Sequence, residues 1–319
     1  MSSTHQSVQI PSPEAGVQLA GVRISPEPRP ATPSPLVILA HGVTCTKDYG
    51  IQVYAEAFAS AGYETLLFDY RGWGESQGTK HRVSFKEQQD DIRSVVRWAR
   101  QQPDVDSKRI VLWGSSLGAG HCLAVAAKDP PSSYAAVICL NPYTSGYATL
   151  LRALTPWAMA YSVVALIDGA GSLLGTKPII CRFTQHCDPE TGAKRKFSRG
   201  VLITGKVPQG FWRVSGGAYF PHSNHAQARN LLQLLNSEVW LSASKVTAPI
   251  LFTPIKGKDE LCPPWTAARA AKRAPRGEYQ GLGDRQSNHF SVYQPGLDTN
   301  CAEQGVAVHL DFLKRTVPV

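Results

Sequence analysis

The pentapeptide at 114–118 constrains the fold of this chain more than any other feature. It has the pattern glycine, any residue, serine, any residue, glycine. An apolar run at 109–113 precedes it, and a run rich in small residues at 119–127 follows. A strand that turns sharply into a helix raises the hydroxyl of the central serine above the end of a sheet, and glycines keep side chains away from so tight a turn. The segment therefore predicts a nucleophile elbow that carries Ser116.

A serine hydroxyl needs two partners before it can attack a carbonyl. One is a base that takes its proton, and the other is an acid that orients the base. In chains with this elbow, the acid and then the histidine follow the serine in the sequence. Asp259 comes just after a late apolar run, and His289 lies in a polar loop before the last predicted helix. We expect Ser116, Asp259 and His289 to form a catalytic triad, with Glu260 and, more distantly, Asp284 as alternatives for the acid.

Acyl transfer also needs N–H groups that stabilise the oxyanion formed during the attack. The residue after the nucleophile supplies one such group, and in this chain it is Leu117. We expect the second from the loop after the apolar run at 36–40, and we assign it to the amide of Val43. His41, in the same loop, is expected to pack beneath it.

Short apolar runs and helical patterns alternate along the chain. The apolar runs, typical of buried strands, lie at 36–40, 64–69, 109–113, 135–141, 249–253 and 278–282. The patterns typical of helices lie at 49–61, 85–101, 117–127, 264–273 and 299–314. This alternation predicts an α/β fold with a mostly parallel sheet and helices on both faces. Residues 8–24 instead alternate apolar and polar side chains around turn-forming residues, which predicts an antiparallel hairpin at the sheet edge.

A long interval interrupts this alternation. More than a hundred residues separate the strand predicted at 135–141 from the next one at 249–253, which is too long for a plain crossover. We therefore expect an inserted cap at 142–245, above the carboxyl ends of the strands, and a core made of 1–141 and 246–319.

Within the expected cap, 147–167 and 222–242 have patterns typical of helices. Residues 169–217 are interrupted by glycine and proline, which is typical of loops and short elements. Large apolar side chains of the first helical segment either pack inside the cap or line a pocket, since ligand pockets are mostly apolar. The side chains that we assign to substrate binding are Leu154, Trp157 and Tyr161.

The net charge of +9 is unevenly distributed along the chain. Residues 177–213 hold eight lysines and arginines against two acidic residues. This segment is either a solvated face or a docking site that steers an acidic partner by its charge. Neither a basic helix nor an alternation of basic and aromatic residues accompanies the charge, so nucleic acid is not an expected partner.

Cysteine usage and hydropathy exclude several other classes of protein. The seven cysteines are scattered without the spacing of a disulfide framework, so we expect a reducing, cytoplasmic location. They also lack the spacing of a zinc site, and we expect neither a metal nor another cofactor. The N-terminal residues lack the apolar core of a signal peptide. Asp168 interrupts the apolar stretch at 157–174, which is too short to cross a bilayer, so no membrane span is expected.

Taken together, these motifs resemble the α/β-hydrolases. The residues that carry the resemblance are His41-Gly42, the segment 69–76 (Asp-Tyr-Arg-Gly-Trp-Gly-Glu-Ser), the elbow around Ser116, Asp259 and the segment 288–290 (Asn-His-Phe). The arrangement is similar to the dienelactone-hydrolase and acyl-peptidase-like branch, and within it to fungal polyketide-transferase-type hydrolases. The resemblance covers roughly residues 8–140 and 246–315.

This resemblance implies an enzyme of secondary metabolism that forms an acyl-enzyme from an ester or a thioester. The acyl group, a polyketide chain for example, would then be released to water or transferred to an alcohol. The basic segment at 177–213 would receive an acidic acyl-carrier domain of a polyketide synthase. Two alternatives remain open, namely a serine peptidase that acts on short peptides and a ligand-binding protein that keeps the fold without turnover.

Overall fold

The computed structural model describes residues 3–152, 156–184, 201–203, 214, 224–235, 237–257, 259, 261–293, 295 and 300–319. The strands in these ranges are β1 (Ser3–Pro11), β2 (Gln18–Pro26), β3 (Ser34–Ala40), β4 (Glu64–Phe68), β5 (Val105–Ser115), β6 (Ala136–Leu140), β7 (Ile180–Thr184), β8 (Val201–Ile203), β9 (His225–Gln227), β10 (Ile250–Thr253) and β11 (Gly277–Tyr279).

The α-helices in the same ranges are α1 (Gln52–Ser60), α2 (Phe85–Ala99), α3 (Leu117–Lys128), α4 (Gly146–Arg152), α5 (Pro156–Leu173), α6 (Leu231–Leu235), α7 (Pro264–Arg273) and α8 (Cys301–Thr316). Two 3-10 helices, Ala228–Asn230 and Val239–Lys245, flank α6. The strands and helices predicted for the core are present, with ends that differ by a few residues from the predicted ones.

Eight of the described strands form one sheet in the order β1-β2-β4-β3-β5-β6-β10-β11. Strand β2 pairs antiparallel with both β1 and β4, and the remaining neighbours pair in parallel. The hairpin of β1 and β2 thus forms one edge, as the alternating pattern predicts. The prediction of an α/β fold with a mostly parallel sheet is confirmed.

Helices cover both faces of this sheet, which explains why residues 36–40 of β3 are all apolar. Leu36 and Ile38 belong to one buried cluster, together with side chains of α2, α3 and α7. Val37 and Leu39 point the other way, into a cluster with side chains of α1 and α8. Because successive side chains of a strand point to opposite faces, a strand buried on both faces reads as a continuous apolar run.

The interval between β6 and β10 contains a second, three-stranded sheet in the order β8-β7-β9 among the described residues. Strand β7 pairs in parallel with β8 and antiparallel with β9. The expectation of a helix throughout 222–242 is therefore wrong at its start, which forms β9 before a 3-10 helix and α6. Three residues are too few to show a strand periodicity, and β9 depends on its pairing with β7.

Asp168 ties helix α5 to the segment that follows β9. Its carboxylate accepts the backbone N–H of Ile179 at 2.9 Å and that of Arg229 at 2.8 Å. It also accepts a guanidinium N–H of Arg229 at 2.8 Å. The acidic residue that interrupts the apolar stretch is thus a buried anchor. Among the described helices, none is long and apolar enough to cross a membrane.

Two buried histidines lie within the core. The indole N–H of Trp113 donates to His309 Nδ1 at 3.1 Å, so the proton of the neutral ring is on Nε2, which donates to Thr253 Oγ1 at 2.8 Å. Burial lowers the pKa of His309 to about 3. Burial, with smaller contributions from His41 and Lys128, also lowers the pKa of His121 to about 3.

The free energy of unfolding should fall between pH 7 and pH 5. In this window an imidazole of the unfolded chain takes up a proton around its ordinary pKa of about 6.5, whereas His121 and His309 stay neutral in the fold. Each should lower the free energy of unfolding by up to roughly 1.4 kcal/mol per pH unit. Urea unfolding at several pH values measures this slope.

The variant His309→Gln should have a shallower slope, because one proton fewer is taken up when the chain unfolds. His5→Gln is the matched control, because His5 lies on the edge strand β1 with its side chain half exposed. An unchanged slope in His309→Gln would show that this imidazole takes up its proton in the fold over the same pH range as in the unfolded chain.

Candidate active site

Ser116 lies at the junction of β5 and α3 in a strained backbone conformation. Its φ of 54° and ψ of −118° are rare for a residue with a side chain and cost on the order of 1–3 kcal/mol. Its N–H donates to the carbonyl of Leu140 at 2.9 Å, and its carbonyl accepts the N–H of Tyr143 at 2.9 Å. These hydrogen bonds to the end of β6 hold the predicted elbow in place.

Three glycines allow the backbone to pack closely around Ser116. A Cβ atom on Gly114 would lie 2.5 Å from backbone atoms of the first turn of α3, and one on Gly118 would lie 2.4 Å from the carbonyl oxygen of Ala40. A Cβ on Gly42 would lie 3.1 Å from the Cβ of Ser116. The loop after β3 and the start of α3 therefore meet directly at the serine.

His289 is oriented by Asp259. The Nδ1–H of His289 donates to Asp259 Oδ2 at 2.8 Å, which leaves the lone pair of the neutral ring on Nε2. The other carboxylate oxygen, Oδ1, accepts the backbone N–H groups of Leu261 and Cys262, each at 2.8 Å. Both Asp259 and His289 are buried. Two backbone N–H groups thus fix the carboxylate, which in turn holds the imidazole through Nδ1.

Asn141 holds the backbone of His289, a role that the sequence patterns did not indicate. Its amide donates to the carbonyl of His289 at 2.9 Å, and its Oδ1 accepts the N–H of Ile255 at 2.9 Å. Asn141 follows β6 with a φ of 42°, a left-handed conformation that asparagine tolerates better than most residues. An asparagine just after a buried strand is the only sequence signal for this role.

Ser116 and His289 line the same small pocket. The other lining residues are Gly42, Val43, Cys45, Phe183, Leu261, Phe290 and Tyr293. The Ser116 hydroxyl lies 3.9 Å from Cys262 Sγ, a long contact even for sulfur. The structure thus brings together the three predicted members of the triad, with Asp259 directly behind His289.

Cys262 is close to the serine but unsuited to act as the nucleophile itself. Burial, with a smaller contribution from the Asp259 carboxylate, raises the pKa of the Cys262 thiol well above its usual range. The thiol therefore keeps its proton at neutral pH, whereas the thiolate is the reactive form of cysteine.

His41 lies beneath the loop that carries Val43, as expected. Its Nδ1–H donates to the carbonyl of Gly42 at 2.9 Å, and its Nε2 accepts the N–H of Tyr70 at 3.4 Å. Burial lowers the pKa of His41, so the ring is neutral and this arrangement is stable at neutral pH. The carbonyl of Gly42 and the N–H of Val43 belong to one trans peptide and point in opposite directions. His41 therefore sets the direction of the Val43 N–H.

The segment at 69–76 supports the same loop from behind. The carboxylate of Asp69 accepts the backbone N–H of Lys47 at 2.7 Å and its ammonium group at 3.3 Å. Gly74 has a φ of +49° and passes so close to this carboxylate that a Cβ atom would lie 2.2 Å from it. The glycine-rich motif is thus a structural support for the loop after β3.

The other predicted site residues are described only in part or make no contact with the triad in the structure described. Trp157 and Tyr161 belong to helix α5, but their side chains are not described, and Leu154 and Glu260 lie outside the described residues. Asp284 accepts hydrogen bonds from Gln286 and Ser287 within its own turn. Of the eight basic residues in the segment 177–213, the structure describes Lys177 and Arg182. The described contribution of the interval 142–245 to the pocket is Phe183 on β7.

Comparisons with known proteins identify the family of this chain. The family model described as serine aminopeptidase, S33, a hydrolase model, matches residues 31–170. The quorum-quenching protein AidA of Acinetobacter baumannii is 31% identical over 294 residues, which are 91% of this chain and 90% of AidA. The chain belongs to the α/β-hydrolases.

Two further similarities extend this assignment. The α/β-hydrolase GrgF from Penicillium sp. sh18 has the same fold, with a TM-score of 0.77 at 21% identity over 99% of this chain and 100% of GrgF. The thiohydrolase aneE of Aspergillus aculeatus is 36% identical over 96 residues, about 30% of either chain. The family expected from the motifs is thus confirmed, and the relatives of this α/β-hydrolase include a thiohydrolase.

Gly118→Ala should destabilise this hydrolase, whereas Gly169→Ala should not. Both glycines lie in helices. A methyl group at 118 meets the carbonyl of Ala40 at 2.4 Å, while at 169 its nearest neighbour is a methyl group of Leu232 at 3.9 Å. We expect Gly118→Ala to cost about 1–3 kcal/mol or more by overpacking and Gly169→Ala to gain up to about 1 kcal/mol of helix propensity.

Urea unfolding followed by circular dichroism measures both changes. Equal effects of the two substitutions on the free energy of unfolding would contradict the close packing described for the elbow.

Proposed function

We propose that this α/β-hydrolase is a serine esterase or thioesterase with Ser116 as nucleophile, His289 as base and Asp259 as the orienting acid. The observation that carries the proposal is the shared pocket of Ser116 and His289, together with the 2.8 Å hydrogen bond from His289 Nδ1 to Asp259. That bond reserves the ring proton for Nδ1 and leaves Nε2 on the opposite side of the ring to accept a proton from the serine.

In the proposed first half-reaction, the Ser116 oxygen attacks the acyl carbonyl while its proton moves to His289 Nε2. The buried carboxylate of Asp259 stabilises the resulting imidazolium. The tetrahedral intermediate then collapses, the bond to the leaving alkoxide or thiolate breaks, and the proton on Nε2 passes to the leaving group. An acyl-enzyme on Ser116 remains.

We assign stabilisation of the oxyanion to the N–H groups of Leu117 and Val43. Leu117 is the first residue of α3, where backbone N–H groups lack partners within the helix and the helix dipole favours negative charge. The Val43 amide is oriented through the hydrogen bond between His41 and the carbonyl of Gly42. Both groups are positioned before substrate binds, which is what makes such donors effective.

The side chains around the pocket favour an apolar acyl group. Val43, Phe183, Leu261 and Phe290 supply aliphatic and aromatic surface next to Ser116. An apolar lining with few polar groups suits a hydrocarbon-rich chain, such as the polyketide acyl group implied by the resemblance. In the second half-reaction, His289 activates either water or an alcohol of the acceptor.

We also propose that residues 142–245 form a cap distinct from the core of 1–141 and 246–319. The separate sheet β8-β7-β9 within this interval supports the division, and Phe183 brings part of the cap into the pocket. Leu154, Trp157 and Tyr161 would extend the acyl site, and the basic segment 177–213 would receive an acyl-carrier domain in the cytoplasm. These roles determine the substrate rather than the chemistry.

The description of the matched family model, serine aminopeptidase, favours a peptidase as the second candidate. Such an enzyme needs a negatively charged group near the site to bind the amino terminus of a peptide. The described lining of the pocket is instead apolar around Ser116 and His289, which favours esters and thioesters. Parallel assays on acyl thioesters and on dipeptide amides decide between the two candidates.

A fluorophosphonate probe should form one covalent adduct with the wild type and none with Ser116→Ala, because only an activated serine attacks the phosphorus. Ser115→Ala is the matched control. Its hydroxyl contacts that of Tyr293 on the buried side of the elbow, and its loss should leave labelling intact. Intact-mass spectrometry measures the adduct, and labelling of Ser116→Ala would rule out the assigned nucleophile.

Asp259→Asn should lower kcat by roughly 10⁴-fold with little change in KM, because an amide cannot hold the proton of His289 on Nδ1. Steady-state kinetics on an acyl thioester measures both constants. Asp284→Asn and Glu260→Gln are the controls for the alternative acids, and each should change kcat by less than tenfold. A larger loss in either control would move the role of the acid to that residue.

Preformed acyl-enzyme should distinguish hydrolysis from acyl transfer. Chasing it with water alone and then with candidate alcohols, and measuring the products by mass spectrometry, gives the partition ratio. Ester formation that outpaces hydrolysis would identify a transferase, and release to water alone would identify a thioesterase.

A further inference from the structure

Three potential metal ligands include two members of the proposed triad. One ligand atom each from Asp259, Cys262 and His289 lies within 4.8 Å of the other two, and all three side chains are buried. The triad requires Asp259 and His289, but the proposed hydrolysis has no use for the thiol of Cys262. A carboxylate oxygen, a thiolate and an imidazole nitrogen together form a set of ligands that suits zinc.

We propose that a thiophilic divalent cation, Zn²⁺ or Cd²⁺, binds Asp259, Cys262 and His289 and reversibly inhibits the enzyme. The inhibition rests on the proposed function, whereas binding of the ion does not.

The geometry needs only a small adjustment to accept such an ion. Tetrahedral bonds of about 2.0–2.3 Å place the ligand atoms of zinc roughly 3.5 Å apart. The atoms in the structure are separated by at most 4.8 Å, so rotations of the Cys262 and His289 side chains can bring them together. The Ser116 hydroxyl lies 3.9 Å from Cys262 Sγ, so this polar group is close to the ligand atoms. A water molecule can complete the tetrahedral coordination.

The backbone around the site also favours a fixed arrangement of ligands. Asp259 Oδ1 already accepts the N–H of Cys262 at 2.8 Å, so the carboxylate and the thiol belong to one tight turn. His289 is held from behind by Asn141. A site that is largely assembled loses little conformational entropy when the ion binds.

Binding of the ion changes the protonation of the triad in a defined way. The Cys262 thiol becomes a metal-bound thiolate, and its proton leaves to solvent. The neutral imidazole binds the ion through one ring nitrogen, and the other nitrogen keeps the ring proton. If Nε2 binds the ion, its lone pair is occupied. If Nδ1 binds the ion, the ring proton is on Nε2. In both cases His289 can no longer accept a proton from Ser116, so the enzyme is inhibited.

The first test measures zinc inhibition of ester hydrolysis with untagged, fully reduced protein in buffer without thiols. Zinc should inhibit the wild type, and a chelator should restore the activity. Cys262→Ala should raise the inhibition constant by roughly 10- to 100-fold or more, since removing even a supporting partner of a metal ligand has an effect of this size. Magnesium should not inhibit, because it prefers oxygen ligands.

Cys45→Ala is the matched control. Cys45 is a buried cysteine of the same pocket, but it is not part of the ligand group. Its loss should leave the zinc inhibition constant unchanged. Equal sensitivity of the wild type and Cys262→Ala, or a loss of sensitivity in Cys45→Ala alone, would overturn the proposed site.

The second test does not depend on catalysis. Cadmium added to Ser116→Ala should produce the ultraviolet absorption of a cadmium–thiolate bond, which should disappear in the double variant Ser116→Ala, Cys262→Ala. Cys262→Ser, which keeps a small polar side chain, replaces the alanine variant if that protein does not fold. Absorption that persists without the Cys262 thiol would contradict the proposal even if Ser116 proved not to be the nucleophile. Conversely, cadmium binding by an inactive wild type would leave the site intact and reject the proposed function alone.

Discussion

The close approach of helix α3 to the end of β3 is the constraint on which the rest of the site depends. Gly118 lies directly against the carbonyl of Ala40, where even a methyl group has no room. Ser116 next to this contact has a strained conformation, whose cost on the order of 1–3 kcal/mol is offset by its backbone hydrogen bonds to Leu140 and Tyr143. The same contact brings the loop with Gly42 and Val43 to the serine, so the proposed nucleophile and the proposed oxyanion donors lie next to each other.

Buried polar side chains around this junction join elements that are distant in the sequence. Asn141 links the end of β6 to the loop of His289 and to Ile255 after β10. Asp69, after β4, holds the loop after β3 through Lys47. Because unpaired polar groups are costly in the interior, each of these networks has one favourable arrangement. The site is therefore assembled in the absence of a ligand. The same fixed arrangement favours the proposed binding of a thiophilic divalent cation.

The core elements could be predicted because their signals are local. A strand such as β3 is buried on both faces and has a continuous apolar sequence, and the elbow needs its glycines within five residues. The elements of the proposed cap are less predictable. The strand His225–Gln227 exists through its pairing with Ile180–Arg182, about forty residues earlier in the chain, and three residues carry no periodicity of their own. The sequence pattern therefore predicts a helix over 222–242, where the structure has the strand His225–Gln227 before its first helical turn.

The α/β fold and the order of Ser116, Asp259 and His289 can be read from the sequence, because hydrophobic periodicity, glycine requirements and motif order are properties of short segments. Three contacts become visible in the folded chain alone. Asp259 contacts His289, Asn141 holds the histidine loop and Cys262 lies beside the serine. These contacts join residues from separate loops. Their distances depend on how the strands pair and how closely the helices pack, and no local pattern encodes that.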